Sequence, residues 1–221
     1  METKAKTKKQ PVWDEDQIIA KYMDLMNGRQ DEISSTSTFC KKAGIPEAVF
    51  FEHFGSVGSI REIIWVKFLD NALAAIAKEP GFDSYSSRNK LLALYFTLFE
   101  IFTLNRGYIL YALKENGEGL KNVPQLAQFR RRFIDYVKTI PGAADAEWKQ
   151  KIKKYSDPVF AEGAWVQFLF VLKFWLNDHS KGFEKTDILI EKSVNTAFDL
   201  IDTKPVESLF DLGKFLWKEG R

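Results

Sequence analysis

The sequence predicts an all-α protein, with a small N-terminal helix-turn-helix domain followed by a larger helical bundle. Three observations carry that expectation. Apolar residues recur at helical spacing along most of the chain. The breaks between the periodic stretches fall on glycine, proline and serines placed to cap helices. Two short stretches, 36–43 and 47–54, flank Ala43-Gly44-Ile45, where Gly44 supplies the permissive backbone that a tight helix–helix turn needs. The predicted organisation is a basic tail over 1–12, a helix-turn-helix domain over 13–60 and a larger helical domain over 61–221.

Composition narrows the function. With 221 residues, 45% of them hydrophobic, the chain can bury a sizeable core. Basic and acidic residues number 32 and 30, so a nucleic-acid surface has to be local rather than general. The 19 phenylalanines, with 6 Trp and 7 Tyr, build either a ring-packed core or the wall of an apolar ligand cavity. Cys40 is the only cysteine and fits a reducing, cytoplasmic setting. One cysteine and two distant histidines, His53 and His179, leave no metal-ligand motif, and no cofactor is expected. No nucleophile elbow, phosphate-binding loop or zinc-protease motif is present, so no catalytic residue is assigned and the chain does not read as an enzyme.

In chain order, Lys4, Lys6, Lys8 and Lys9 against Glu2 give the tail a local charge of +3. It reads either as a solvated terminus or as an arm lying along nucleic acid. Ile18, Ile19, Tyr22, Met23, Leu25 and Met26 mark a first helix over 14–27, with Gly28 as its stop. Ser34 or Ser35 caps a second over 36–43, which turns Phe39, Cys40 and Ala43 inward. Pro46 opens a third over 47–54, anchored by Phe50, Phe51 and Phe54. Ser59-Ile60-Arg61-Glu62 reads as a capping box opening a long helix to about residue 78, broken by Pro80-Gly81.

Helices follow over 89–104, 108–114 and 123–140. The first is apolar nearly all round and therefore buried. In the last, Arg130, Arg131 and Arg132 read as a solvated face, while Leu126, Phe129, Phe133, Ile134 and Val137 point inward. A short basic helix over 148–155 precedes the most apolar one, over 159–178. Glu162, Gln167 and Lys173 mark that helix as buried rather than membrane-spanning. An amphipathic helix over 184–201 comes next. The last, over 205–217, either packs on the body or rests on a membrane surface through Phe210, Phe215 and Trp217.

The order of helix, short helix, Ala43-Gly44-Ile45 turn, short helix ending His53-Phe54-Gly55-Ser56, then long helix resembles the N-terminal domain of TetR-family transcriptional regulators. The close match covers about 18–69. The resemblance implies a homodimer that binds DNA through the helix over 47–54. Thr36, Ser37, Glu47, Val49, Phe51 and His53 are then the candidate DNA-binding residues. It also implies an apolar small-molecule or lipid effector, with Phe99, Phe102, Tyr108, Phe133, Trp165, Phe168 and Leu172 as candidate pocket residues. A subunit interface on the last two long helices follows from the same likeness, with Phe170, Phe174, Val194 and Phe198 as candidates. The region from Phe183 onward also resembles the TetR-like lipid-binding protein of ubiquinone biosynthesis.

The motif departs from the family at two donors. Phe51 stands where members usually carry a tyrosine, and Val57 where they usually carry a lysine. Across 34–62, Lys41, Lys42 and Arg61 are balanced by Glu47, Glu52 and Glu62. Phosphate contacts dominate DNA affinity, so a second reading stays open: a lipid- or hydrophobe-binding protein of TetR fold that has lost DNA binding. A third is a protein-interaction module using the helix-turn-helix face.

Overall fold

The computed structural model describes residues 13–26, 33, 35–114, 124–140 and 157–202, and among these the regular structure is helical throughout. The expected helices over 148–155 and 205–217, Ser34, Gly28 and the basic tail lie outside the described residues.

The N-terminal unit is built from α1 (Glu15–Met26), α2 (Thr36–Ala43) and α3 (Glu47–His53). Ile18, Tyr22, Phe39 and Phe50 are sealed in its core, with Tyr22 edge-on to Phe39 at 5.5 Å and Phe39 edge-on to Phe50 at 5.8 Å. Ser35 caps α2 by accepting from the Thr38 N–H. Gly44 ends it in the left-handed region, at φ 72°. Nothing lies within 4 Å of where a Cβ would sit on Gly44. The cost of Gly44→Ala is therefore conformational alone, and chemical denaturation should show a loss of about 1–2 kcal/mol.

Helix α4 (Val57–Ile76) runs unbroken from this unit into the body. It opens one turn earlier than the sequence suggested. Ser56 is the N-cap and Ser59 its partner in the capping box, because the extended backbone of Ser56 (φ −166°) is what leaves the helix. Val57, expected at a DNA-facing position, is buried at the first helical position. Arg61 Nε donates to the Tyr22 hydroxyl at 2.8 Å, and Lys67 Nζ reaches Glu15 and Asp16 at 2.9 Å each, fixing α4 to α1.

The body packs α4 against α5 (Ser87–Leu104) and α7 (Ala127–Val137). Helix α8 (Asp157–Leu176) lies on α7, and α9 (Glu184–Asp202) covers α5 and α8. Short α6 (Arg106–Lys114) joins the two units, touching α1 and α5. Helix α7 is shorter than the expected 123–140, since a 3₁₀ turn over 124–126 precedes it. Its arginines are not simply solvated: Arg130 bridges Glu162 at 2.6 Å and Arg132 bridges Asp70 at 2.9 Å. No helix among the described residues is long and apolar enough to cross a membrane.

Candidate nucleic-acid interface and ligand-binding body

The outer face of the helix-turn-helix is set by helical geometry. Phe50 and Phe54 lie one turn apart and face the core, which carries Phe51 to the outside, 55% exposed. The sequence placed Phe51 both among the anchors and among the DNA-facing candidates; it is not an anchor but the apolar centre of the exposed face. Glu47 and Glu52 stand exposed around it, and Val49 is half-buried against the core. Glu47 lies in the first turn of α3, where the helix dipole favours a carboxylate. Ser37 is exposed and Thr36 half-buried at the start of α2, and neither hydroxyl is used in capping. His53 is already committed: its Nε2 donates to the Trp13 carbonyl at 3.1 Å, holding the start of α1 beside the end of α3.

In the body, the expected pocket residues are brought together, but against one another. Phe168 is the hub. Its ring centroid lies 5.0 Å from Phe129, 5.3 Å from Trp165, 5.4 Å from Phe133, 6.0 Å from Phe99 and 6.2 Å from Phe102. These are packing distances for aromatic pairs. Tyr108 and Leu172 are equally buried, and Tyr108 lies 6.2 Å from Tyr22 of α1. The rings that composition offered as a cavity wall therefore fill the space themselves.

Among the described residues, one opening of about 310 Å³ lies between α1, α4 and α5, lined by Ile19, Ile64, Phe68 and Ile101, and two more lie at the edges of the ring-packed core. A groove of about 690 Å³ runs along α7 past Arg130, Ile134, Glu162 and Trp165. A smaller cleft of about 250 Å³ lies between α5, the end of α8 and the start of α9. Phe96, Phe99, Trp175 and Phe183 form its rings, and Glu100 and Asp187 its carboxylates. Phe99 and Trp165 are the sequence-predicted pocket residues that border these openings; Phe102, Tyr108, Phe133, Phe168 and Leu172 border none of them.

The wall of the small cleft rests on a polar knot. Arg106, the first residue of α6, donates to the carbonyls of Trp175 at 2.9 Å and Leu176 at 3.2 Å, which caps the C-terminal end of α8. Its guanidinium lies 4.5 Å from the Trp175 ring and 4.6 Å from the Phe183 ring. Asp178 is buried and accepts from the Ser180 N–H and hydroxyl and the Thr186 N–H and hydroxyl, at 2.7–3.0 Å. Burial alone would raise its carboxyl, but these four bonds outweigh burial and hold it down to about 2.

A model of the family described as tetracyclin repressor-like, C-terminal domain, matches residues 90–216, more than half of the chain. The chain belongs to this family. A search of curated proteins finds no match.

As a TetR-family protein, the chain carries its match in the body, while the helix-turn-helix precedes the matched span. The outer face of α8 presents an apolar stripe one turn apart: Val166 at 65% exposure, Phe170 at 56% and Phe174 at 38%, with Ile188 of α9 also exposed. Phe170 and Phe174, expected at a subunit interface, are thus at the surface. Val194 and Phe198 are not: both are buried within the chain itself, where α9 covers α5 and α8. Among the described residues no group of His, Cys, Asp and Glu is placed to hold a metal ion. Sequence reasoning missed Arg106, Asp178, Phe183, Glu100 and Asp187. Asp178-His179-Ser180 ahead of the helix at 184 was a legible cap signal; the arginine across from it was not, since 72 residues separate Arg106 from Asp178.

Proposed function

We propose that this TetR-family regulator acts as a homodimer whose helix-turn-helix binds DNA with an affinity set by a small hydrophobic effector in its helical body. The observation that carries the reading is the helix-turn-helix itself. Its turn is closed by Gly44, α3 presents Glu47, Phe51 and Glu52 on an exposed face, and the whole is tied to the body through α4. Thr36 and Ser37 offer hydroxyls to the phosphate backbone at the N-terminus of α2, and Lys41 stands exposed on the same helix. Glu47 is a base-edge acceptor for cytosine N4.

The rings of the described core pack on one another, and of the openings around them the aromatic-walled cleft between α5, α8 and α9 is the one we assign to the effector. From there a chain of contacts leads to α1: Trp175 and Phe183 hold Arg106, Arg106 begins α6, and Tyr108 of α6 lies against Tyr22. An effector with different affinity for two positions of α6 shifts the population of helix-turn-helix positions.

The test is retention of genomic fragments by the purified protein at low salt. Sequence-dependent retention is expected, and Phe51→Tyr, which adds a hydroxyl to an exposed ring, should tighten it roughly tenfold, the worth of one charged hydrogen bond. Phe170→Glu should convert the dimer to a monomer in analytical ultracentrifugation and abolish retention. No sequence-dependent retention by either the native chain or Phe51→Tyr would transfer support to the second reading, a hydrophobe-binding protein without DNA activity. The exposed Phe51 between Glu47 and Glu52, with no lysine or arginine on α3, is the observation that favours that alternative.

A further inference from the structure

We propose that the cleft between α5, the end of α8 and the start of α9 binds a small organic cation, an aryl- or alkylammonium, held by Glu100 and Asp187 against the rings of Phe96, Phe99 and Phe183. The inference rests on reading this cleft as a ligand site and adds the chemical class of the ligand. Its volume, about 250 Å³, limits the ligand to a compact molecule.

Charge is the first argument. No lysine or arginine is among the described residues lining the cleft, and two carboxylates are. Among the described residues neither Glu100 nor Asp187 is paired through its side chain, whereas Glu15, Asp70, Glu162 and Asp199 all have a cation within 2.9 Å. Asp187, though exposed, is left in an unfavourable setting: partial desolvation at the cleft wall, then the neighbouring Asp178 charge, push its carboxyl up. A cation in the cleft relieves that repulsion.

The rings supply the second argument. Aromatic faces attract cations through their quadrupole, and quaternary ammonium ligands are recognised by aromatic cages. Trp175 and Phe183 already hold one cation, the Arg106 guanidinium, at 4.5 and 4.6 Å. Phe96 is exposed on the open side of the cleft, and Phe99 meets the Trp175 ring at 6.1 Å. Trp175 is held in place by its indole N–H, which donates to the Thr103 hydroxyl at 3.3 Å. Phe183 keeps its place at φ 62°, a left-handed backbone that a bulky residue adopts only when its surroundings enforce it.

Calorimetric titration of the full chain with benzyltrimethylammonium tests the inference, with benzyl alcohol and benzoate as the neutral and anionic controls. Saturable binding of the cation is expected, weakening with added salt. Glu100→Gln and Asp187→Asn should each lower the affinity about three- to fivefold, and together about tenfold or more. Both side chains are exposed, so both variants should keep the native circular dichroism. Benzoate binding as tightly as the cation, or a double variant that binds the cation like the native chain, would overturn the assignment of charge. Benzyl alcohol binding while the cation does not would leave the cleft a ligand site and remove the cationic class. Binding of none of the three would remove the site itself.

Discussion

Replacing Phe168 by alanine should cost about 3–5 kcal/mol of stability, the range for deleting a buried aromatic ring from a packed core. Phe168 is fully buried and touches five other rings, from α5, α7 and its own helix. Removing the ring withdraws those contacts at once, and the facing helices cannot close the gap without breaking other pairs. Equilibrium denaturation should show the loss as a lower midpoint with little change in slope. The cavity left behind is apolar on all sides. It should stay dry and take up benzene, which should restore part of the lost stability in the variant and none in the native chain. A loss below about 1.5 kcal/mol would mean that the ring already borders open space.

Asp178→Ala should be nearly as damaging, at about 3 kcal/mol or more, since a buried carboxylate with four donors gathered on it leaves all four without an acceptor when it goes. Those donors include the N–H and hydroxyl of Thr186, itself buried, so water cannot replace the lost acceptor cheaply. The pH dependence follows from the direction of the shift. The carboxyl is held at about 2 in the folded chain against an ordinary value of 3.8, so its contribution is complete above about pH 4. It is lost as pH falls from there towards 2. The native chain should therefore lose stability steeply over that interval, and Asp178→Ala should show a flatter acid limb. Equal slopes for the two would mean that Asp178 is solvated rather than capped.

How far the sequence could be read depended on whether a feature was local. Helices α5 and α8 were legible as buried elements because they are apolar nearly all round. The turn at Gly44 was legible because a left-handed residue between two short helices selects glycine. The cap of α4 was misplaced by three residues because Ser56 and Ser59 each fit the pattern, and only the backbone angles decide between them. Phe51 was misread for a similar reason: in a helix of seven residues carrying Val49, Phe50 and Phe51 in a row, more than one face qualifies as the inner one. Phe170 and Phe198 looked alike as apolar residues on long helices. Which is covered depends on α9 lying over α5, a non-local fact. The candidate cleft was the least legible feature, because Glu100 and Asp187 lie far apart in the chain and line one cleft only because α9 packs on α5.

The continuity of α4 has a mechanical consequence. Its 20 residues make a rod about 30 Å long, tied to α1 along its first half, from Arg61 to Lys67, and to α7 further along through Asp70 and Arg132. A rod turns small rotations into larger displacements. Tilting it by about 5° at the body moves its far end by roughly 2–3 Å over that length. The capping box at Ser56 and the Arg61–Tyr22 bond leave no hinge at that end to absorb the motion. Rearrangements too small to open a core of interlocked rings would thus be amplified at the far end of the rod into a change of stance of the whole N-terminal unit.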